Sequence, residues 1–349
     1  MDAQQPLKII QWATGNIGAR SLRALVEHPG LELAGLWVSA EAKRGLDAAE
    51  LCGLENATGI VSTNSASELI EQDADCVLYM RQGTDIDELC KMLASGKNVV
   101  TTRGDFHHPP MMEGAARQKI EQACSDGNSS IYSTGSSPGF VTEALALPLL
   151  SLSRRLDCLT IDEFADVGSR NSPQLLFEIM GFGKPMTAFN QASADFVKTD
   201  FAASLAQVAK ASGITIDRWE AHGDYSPASE TIKIAAGEIG KGSIAAQRIT
   251  ISGFCDDRLR FRFRAHWYAS DRIENTDWNL RESGWRIQVA GDTPLDVAIA
   301  FPVAPEDYAA FTPGLTAHRA VNAVPAVCAA PAGIRTTADL AQVVAWLGE

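Results

Sequence analysis

The sequence predicts an α/β protein in which an N-terminal doubly wound parallel sheet is followed by a C-terminal α+β domain. Short apolar runs alternate with helical patterns between Leu7 and Ser133, as in strands joined by crossover helices. Arginine and aromatic residues alternate along 259–268, which is typical of an antiparallel strand with one exposed face. The chain of 349 residues is also long enough for two separate cores.

The same patterns place the elements and the domain boundaries. We assign residues 1–150 to the first domain and 151–314 to the second. We expect 315–349 to pack back on the first domain through helical patterns at 315–323 and 338–347. The predicted strands cover 7–12, 31–38, 73–80, 98–102, 130–133, 156–165, 248–253, 259–268 and 285–289. The predicted helices include one that ends near Val26 and others at 85–95, 112–126, 172–180 and 192–212.

A turn of small residues follows the first strand and reads Ala13-Thr14-Gly15-Asn16-Ile17-Gly18. It departs from the G-x-G-x-x-G pattern only at Ala13. A missing Cβ at Gly15 lets the backbone approach phosphate oxygens, and one at Gly18 lets the helix pack closely on the strand. Because the turn opens a helix, it predicts a dinucleotide pyrophosphate site. The predicted cofactor contacts in this turn are Thr14, Gly15, Asn16, Ile17 and Gly18.

The residues after the second strand bear on which nicotinamide dinucleotide binds. A carboxylate there suits the ribose 2′-OH of NAD, whereas a small polar residue with nearby cations suits the 2′-phosphate of NADP. Ser39 is followed by Lys43 and Arg44, and Glu41 favours the opposite choice. We predict NADP as the preferred cofactor, with NAD possible and solvated loop charges as the alternative explanation. Residues at the other strand ends are also predicted to contact the cofactor, namely Met80, Arg81, Thr102 and Pro138.

Composition and charge argue against several classes of protein. The net charge is −13, whereas general nucleic-acid binders are usually basic. No apolar stretch approaches the roughly 20 residues of a membrane span, and the first six residues do not read as a signal peptide. The seven cysteines have no C-x-x-C spacing, which is typical of reduced thiols in a cytoplasm. We therefore predict a cytoplasmic protein with no nucleic-acid or membrane partner.

Five segments occur in an order that resembles one known family. They are Trp12–Gly18, Asp47-Ala48-Ala49-Glu50-Leu51, Ser136-Ser137-Pro138-Gly139-Phe140, Met180-Gly181-Phe182-Gly183 and Asn322-Ala323-Val324-Pro325. Together they resemble the dihydrodipicolinate-reductase-like oxidoreductases, which include 2,4-diaminopentanoate dehydrogenase and the native NADP-dependent amine dehydrogenases. The resemblance covers nearly the whole chain. It implies a Rossmann domain, an α+β substrate and dimerisation domain that makes a homodimer, and hydride transfer between a nicotinamide and a C=N or C=O carbon.

Two departures from the family pattern narrow the expected chemistry. The lysine-pathway reductase carries a His-His-x-x-Lys motif, but here His107-His108 is followed by Pro109-Pro110-Met111, so that reaction is not expected. In the amine dehydrogenases a glutamate near the end of the strand equivalent to 98–102 is associated with ammonia and the amine. This chain has Asp105 in that neighbourhood.

Asp105, His107 and His108 are the candidate catalytic residues. Asp105 could orient ammonia and stabilise an iminium, whereas a histidine could protonate an alkoxide in a ketone reductase. The alternative is a turn that Asp105 caps, with solvated histidines. Adjacent histidines project in different directions and have no third ligand at a suitable spacing, so no metal site is expected.

The candidate substrate residues lie near the expected domain junction. Two are carboxylates that otherwise read as surface charges, and three are apolar residues that otherwise read as core. They are Glu163, Asp166, Phe140, Met180 and Phe182. The predicted function is hydride transfer with a small carbonyl, imine or amine substrate, most simply reductive amination of a ketone. The alternatives are a ketone/alcohol oxidoreductase that needs no ammonia and a nonenzymatic NADP-binding sensor.

Overall fold

The computed structural model describes residues 5–347. The helices are α1 (Asn16–Val26), α2 (Ala48–Cys52), α3 (Ala66–Glu71), α4 (Ile86–Ala94), α5 (Gly114–Gly127), α6 (Ala146–Leu150), α7 (Gln191–Ala211) and α8 (Tyr308–Cys328). The strands are β1 (Leu7–Trp12), β2 (Leu31–Trp37), β3 (Cys76–Tyr79), β4 (Asn98–Thr101), β5 (Ser130–Ser133), β6 (Leu156–Asp166), β7 (Arg218–Pro227), β8 (Ile232–Ile234), β9 (Gly237–Ile239), β10 (Ile244–Cys255), β11 (Arg258–Tyr268), β12 (Gly284–Gly291), β13 (Leu295–Ala300) and β14 (Gly333–Arg335).

The chain divides into two compact units. The first comprises Met1–Phe140 together with Thr312–Glu349, and the second comprises Val141–Phe311. The division falls near the boundaries expected from the sequence, at 150 and 314, and the cofactor, substrate and dimerisation roles given to the two domains remain predictions.

None of the helices within residues 5–347 combines the length and the apolar character that crossing a bilayer requires.

The first unit is built on a six-stranded sheet in the order β14-β5-β4-β3-β1-β2. Every adjacent pair in it is parallel. The chain starts at β1, runs outward to β2, and returns to β3 on the other side of β1. Ligands of such sheets bind outside the carboxyl ends of the strands at this reversal. The predicted doubly wound α/β fold is confirmed, with β14 as an additional edge strand.

The C-terminal segment completes the first unit, but not with two helices. The buried face of α8 packs in the same core as β1 and β2 through residues such as Ala320 and Val324. The predicted helix at 338–347 is wrong, because 341–347 has no regular secondary structure. Leu340 and Val343 nevertheless pack against that core. Their spacing resembles a helix turn, but the chain that carries them is not helical.

The second unit contains a six-stranded sheet in the order β13-β12-β6-β11-β10-β7 and a hairpin of β8 and β9. The expectation of an antiparallel sheet is wrong for one pair, since β6 and β11 run parallel. These strands are far apart in the chain, so no local turn signal reports how they pair. One face packs on α7, where Phe201 stacks on Phe263 with ring centroids 3.9 Å apart. The predicted helix at 172–180 is reduced to a short helical segment at Gln174–Ile179.

Several segments that carried the family resemblance have structural roles. Asp47 caps α2 in a reciprocal capping box with Glu50 and also accepts hydrogen bonds from Thr58 and Gly59. Gly181 and Gly183 have φ angles of +78° and +74°, a left-handed conformation that glycine adopts without steric cost. The observed roles of these segments are therefore structural, and they do not by themselves indicate a catalytic function.

Candidate active site

The turn between β1 and α1 has the geometry of a dinucleotide-binding loop. Ala13 occupies the place of the first glycine in the pattern and has a φ of +76°, a left-handed conformation that costs a non-glycine residue roughly 1–2 kcal/mol. A Cβ on Gly18 would lie 2.3 Å from the carbonyl oxygen of Ala13. Gly18 is therefore required by the protein itself, because α1 and the turn meet there.

At Gly15, by contrast, no contact within the protein requires a glycine. It precedes α1 with a φ of −71°, which any residue adopts, and a Cβ there would meet no described atom within 4 Å. Among residues 5–347, no side chain caps this helix end, and its first turn holds no acidic residue. Open space beside the uncapped N–H groups of a helix fits a pyrophosphate. The residues present thus fit the diphosphate of a dinucleotide.

Lys43 reaches this turn from the loop after β2. Its Nζ donates to the carbonyl oxygen of Thr14 at 2.8 Å and to Thr14 Oγ1 at 3.1 Å. Glu41 is occupied, since Arg44 Nη1 lies 3.2 Å from its Oε1 and Asn64 donates to its Oε2. Ser39 is exposed. No local pattern indicates that Lys43 contacts the glycine turn, because Lys43 and Thr14 are 29 residues apart.

The last residue of β1 and the last residue of β2 are both tryptophans. Trp12 and Trp37 stack with centroids 4.9 Å apart and planes within 6°. The Arg81 guanidinium lies 5.7 Å from the centroid of Trp37 and is held 2.9 Å from Glu88. Met80 is buried, and the hydroxyl of Thr102 donates to its sulfur. These contacts fix Met80, Arg81 and Thr102, whose cofactor roles remain predictions.

Asp105 follows the end of β4 in a single helical turn, Gly104–Phe106. Its side chain is 45% exposed, and its Oδ2 accepts a 2.5 Å hydrogen bond from Thr84 Oγ1. Arg103 Nε lies 3.9 Å from the same oxygen. His107, in contrast, is only 3% exposed, so the alternative that both histidines are solvated is wrong for His107. His108 is half-buried.

A second strand-end segment carries Pro138 and Phe140. Gly139 has a φ of +116°, and the Ser136 hydroxyl lies 2.7 Å from Thr316 Oγ1 in α8. The Phe140 ring is half-buried and has the Arg319 guanidinium 5.8 Å from its centroid. Segment 136–140 thus contacts α8, the helix that also contains 322–325.

The remaining substrate candidates lie in or near the second unit's sheet. Glu163 accepts a hydrogen bond from Trp285 Nε1 at 3.3 Å, and Asp166 lies at the end of β6. Phe182 is 1% exposed within the core, and Met180 packs partly buried against it. Core packing is thus an observed role of Phe182, while the substrate roles of all four remain predictions.

The side chains that lie close enough together to hold a metal ion are not the three catalytic candidates. Across residues 5–347, the side chains with ligand atoms close enough to hold a metal ion are Asp217, Cys255 and Asp256. None of Asp105, His107 and His108 belongs to that group.

Comparison with known proteins gives a consistent likeness. An amine dehydrogenase from Streptomyces virginiae is 23% identical over 350 residues, which cover 96% of each chain. The structure of an amine dehydrogenase from Mycobacterium smegmatis matches 99% of each chain with a TM-score of 0.75 and 16% identity. Biliverdin reductase from Synechocystis sp. PCC 6803, solved with biliverdin and NADP+, matches 92% of this chain and 90% of its own with a TM-score of 0.50 and 13% identity. No family model matches the chain.

These likenesses confirm the fold and the resemblance to oxidoreductases of the amine dehydrogenase type that the motifs predicted. The likeness extends over nearly the whole chain and indicates an oxidoreductase.

Proposed function

We propose that this oxidoreductase catalyses the NADPH-dependent reductive amination of a small or medium ketone, and the reverse oxidation of the amine. The balanced reaction converts ketone, ammonia, NADPH and a proton to amine, NADP+ and water. The relative whose sequence matches 96% of the chain is an amine dehydrogenase. Since a fold hosts many chemistries, the proposal depends on the site as well.

The observation that carries the proposal is the contrast between Asp105 and His107. Asp105 presents a partly exposed carboxylate beyond the end of β4, at the sheet edge where ligands of this fold bind. His107 is buried and is poorly placed to protonate a substrate alkoxide. A carboxylate suits ammonia and a positively charged C=N group, so this arrangement favours amine chemistry over ketone reduction alone.

The chain's own residues hold and orient the reactants. The Thr84 hydroxyl donates to Asp105 Oδ2, which fixes the carboxylate and leaves Oδ1 for an ammonium or iminium N–H. The amino end of α1 and Gly15 bind the diphosphate. The nicotinamide, when bound, supplies or accepts the hydride.

We also propose that NADP is preferred over NAD. The support is electrostatic: Lys43 lies against the glycine turn, and Glu41 is engaged by Arg44 and Asn64. A cation beside the turn with a neutralised carboxylate suits a 2′-phosphate better than a free 2′-OH.

The test measures NADPH oxidation with a panel of ketones, with and without ammonium. We expect oxidation only when ammonium is present. Asp105→Asn should lower the ammonium-dependent rate about 100-fold, the scale of losing a positioned polar catalyst. Asp87→Asn is the matched control, because Asp87 is an exposed carboxylate of α4 that contacts Lys119, and its rate should not change.

Two results would replace the proposal. Equal rates without ammonium would show a ketone/alcohol oxidoreductase, with His108 as the histidine to test. Tight NADPH binding without oxidation across the ketone and amine panel would show a nonenzymatic sensor.

A homodimer formed through the second unit and a cytoplasmic location extend the proposal, as the resemblance and the reduced cysteines suggest. Light scattering during size exclusion should give twice the chain mass of 37.4 kDa, and a monomer would contradict the dimer.

A further inference from the structure

The second unit contains a cavity of about 820 Å³, within the range of small-molecule sites. It lies where β6 and β11 end and where the chain leaves β13, and the β8 segment forms part of its wall. All of its lining residues belong to the second unit. Of the candidate residues chosen from the sequence, only Asp166 lines it.

The charges around the cavity are predominantly negative. Asp166, Asp271 and Glu282 contribute carboxylates, and Lys233 and Arg272 contribute cations. Arg272 is already paired, because its Nη1 donates to Glu230 Oε1. Among the described residues that line the cavity, three carboxylates therefore remain against one cation, Lys233.

Asp166 is held in place by its own turn. Its Oδ1 accepts a 2.8 Å hydrogen bond from the Gly168 N–H, and its backbone N–H donates to Ser283 Oγ. Burial raises the pKa of Asp166; the Gly168 hydrogen bond opposes this shift and the nearby Asp271 adds to it. A carboxylate beside a second carboxylate is stabilised by a bound cation.

The rest of the wall is aromatic and aliphatic. Phe301 and Tyr308 lie with ring centroids 6.4 Å apart, and Ile232, Ile234 and Val303 also line the space. Burial raises the pKa of Tyr308 to about 12, so its ring remains a neutral phenol near pH 7. Aromatic faces attract organic cations, and they do so more strongly when the cation is desolvated.

We propose that this cavity binds an organic cation that carries an apolar group. Asp166 and Asp271 bind the positive charge, and Phe301 and Tyr308 contact the apolar group. The site lies within the second unit and does not depend on the proposed function.

The binding test uses three ligands of similar size and different charge, titrated calorimetrically into the full chain at pH 8. They are benzyltrimethylammonium, benzyl alcohol and benzoate. We expect the cation to bind at least about tenfold more tightly than the other two, and Asp166→Asn to remove most of that difference. Asp157→Asn is the matched control, because Asp157 lies at the opposite end of β6 and contacts Arg155; it should change nothing.

Binding and turnover separate the inference from the proposed function. Ammonium-dependent turnover without preferential binding of benzyltrimethylammonium would overturn the inference and leave the function intact. Cation binding that depends on Asp166, without NADPH oxidation, would support the site and overturn the function.

Two further outcomes bear on the cavity alone. Equal affinity for the three ligands would overturn the inference. If Asp166→Asn fails to fold, Asp271→Asn replaces it, and unchanged cation affinity in that variant would also overturn it.

Discussion

The two six-stranded sheets place their polar groups in opposite ways. In the first sheet, β3 is buried along its whole length, and the polar candidate residues lie in loops beyond the strand ends. In the second sheet, β11 carries Arg262, Arg264 and His266 along one face, and this face is only partly exposed. Asp162, on neighbouring β6, is 2% exposed between two of these side chains.

The pairing of these groups explains how the second sheet tolerates buried charge. Arg264 donates two hydrogen bonds to Asp162, at 2.5 and 2.8 Å, and His266 Nε2 lies 3.2 Å from it. Burial raises the pKa of Asp162, but hydrogen bonds from His266 and Arg264 outweigh it and hold the pKa below its usual range. Burial lowers the pKa of His266, although Asp162 opposes this shift; because an ionised carboxylate only accepts hydrogen bonds, Nε2–H of His266 donates to Asp162. Apolar packing thus stabilises the first sheet, whereas the second sheet also requires a specific hydrogen-bond partner for each buried charged group.

Asp162→Asn tests the comparison most strongly. Removing one partner of a buried ion pair costs about 3–5 kcal/mol because the other charge stays behind. Asp296→Asn on β13 is the matched control, since Asp296 is half exposed beside Arg286 and such pairs are worth about 1 kcal/mol or less. Urea unfolding followed by fluorescence measures both. Similar losses in the two variants would show that the Asp162 cluster is no more important than a surface pair.

The glycine turn of the first unit allows a sharper contrast. Gly18→Ala forces a Cβ against the Ala13 carbonyl oxygen and should cost about 1–3 kcal/mol of stability. Gly15→Ala should leave stability unchanged and weaken NADPH binding about tenfold, or ~1.4 kcal/mol. Gly114→Ala is the control, because its Cβ also meets no described atom within 4 Å. NADPH affinity equal to wild type in Gly15→Ala would remove the phosphate interpretation of the turn.

Cofactor preference separates the two cations after β2. Lys43→Ala should weaken NADPH binding several-fold more than NADH binding, because Lys43 lies in the loop after β2, where the 2′-phosphate of NADP would bind. Arg44→Ala should act in the same direction with a smaller effect, since Arg44 is exposed and paired with Glu41. Calorimetry with both reduced cofactors measures the ratios. An unchanged ratio in both variants would refute the role given to these cations.

The smallest expected effect concerns the Asp47 cap. Backbone hydrogen bonds, first from Thr58 and then from Ala49, lower the pKa of Asp47 to about 2, against about 3.9 in an unfolded chain. Its contribution is therefore present above pH 4 and is lost as the pH falls towards 2. Asp47→Asn should lose less stability than wild type between pH 5 and 2.5 in thermal melts. A parallel pH dependence in the two proteins would contradict this role.

Local patterns predicted the first unit well because its strands are apolar and joined by short amphipathic helices. Gly15 and Gly18 received separate roles from their positions in the turn, and the structure supports that division through the space around each Cβ. The contact of Lys43 with Thr14 and the burial of His107 could not be predicted, since both depend on how distant loops pack.

The sequence alone determined the strand–turn–helix opening, the parallel character of the first sheet and the resemblance to oxidoreductases. Each of these is encoded in periodicity over a few residues or in a fixed order of segments. Only the tertiary structure decided that β6 and β11 run parallel, that Asp162 is buried with Arg264 and His266, and that Asp166 shares a cavity with Asp271 and Tyr308. Those pairings join residues many positions apart, where the energy of contact depends on the whole fold and not on local pattern.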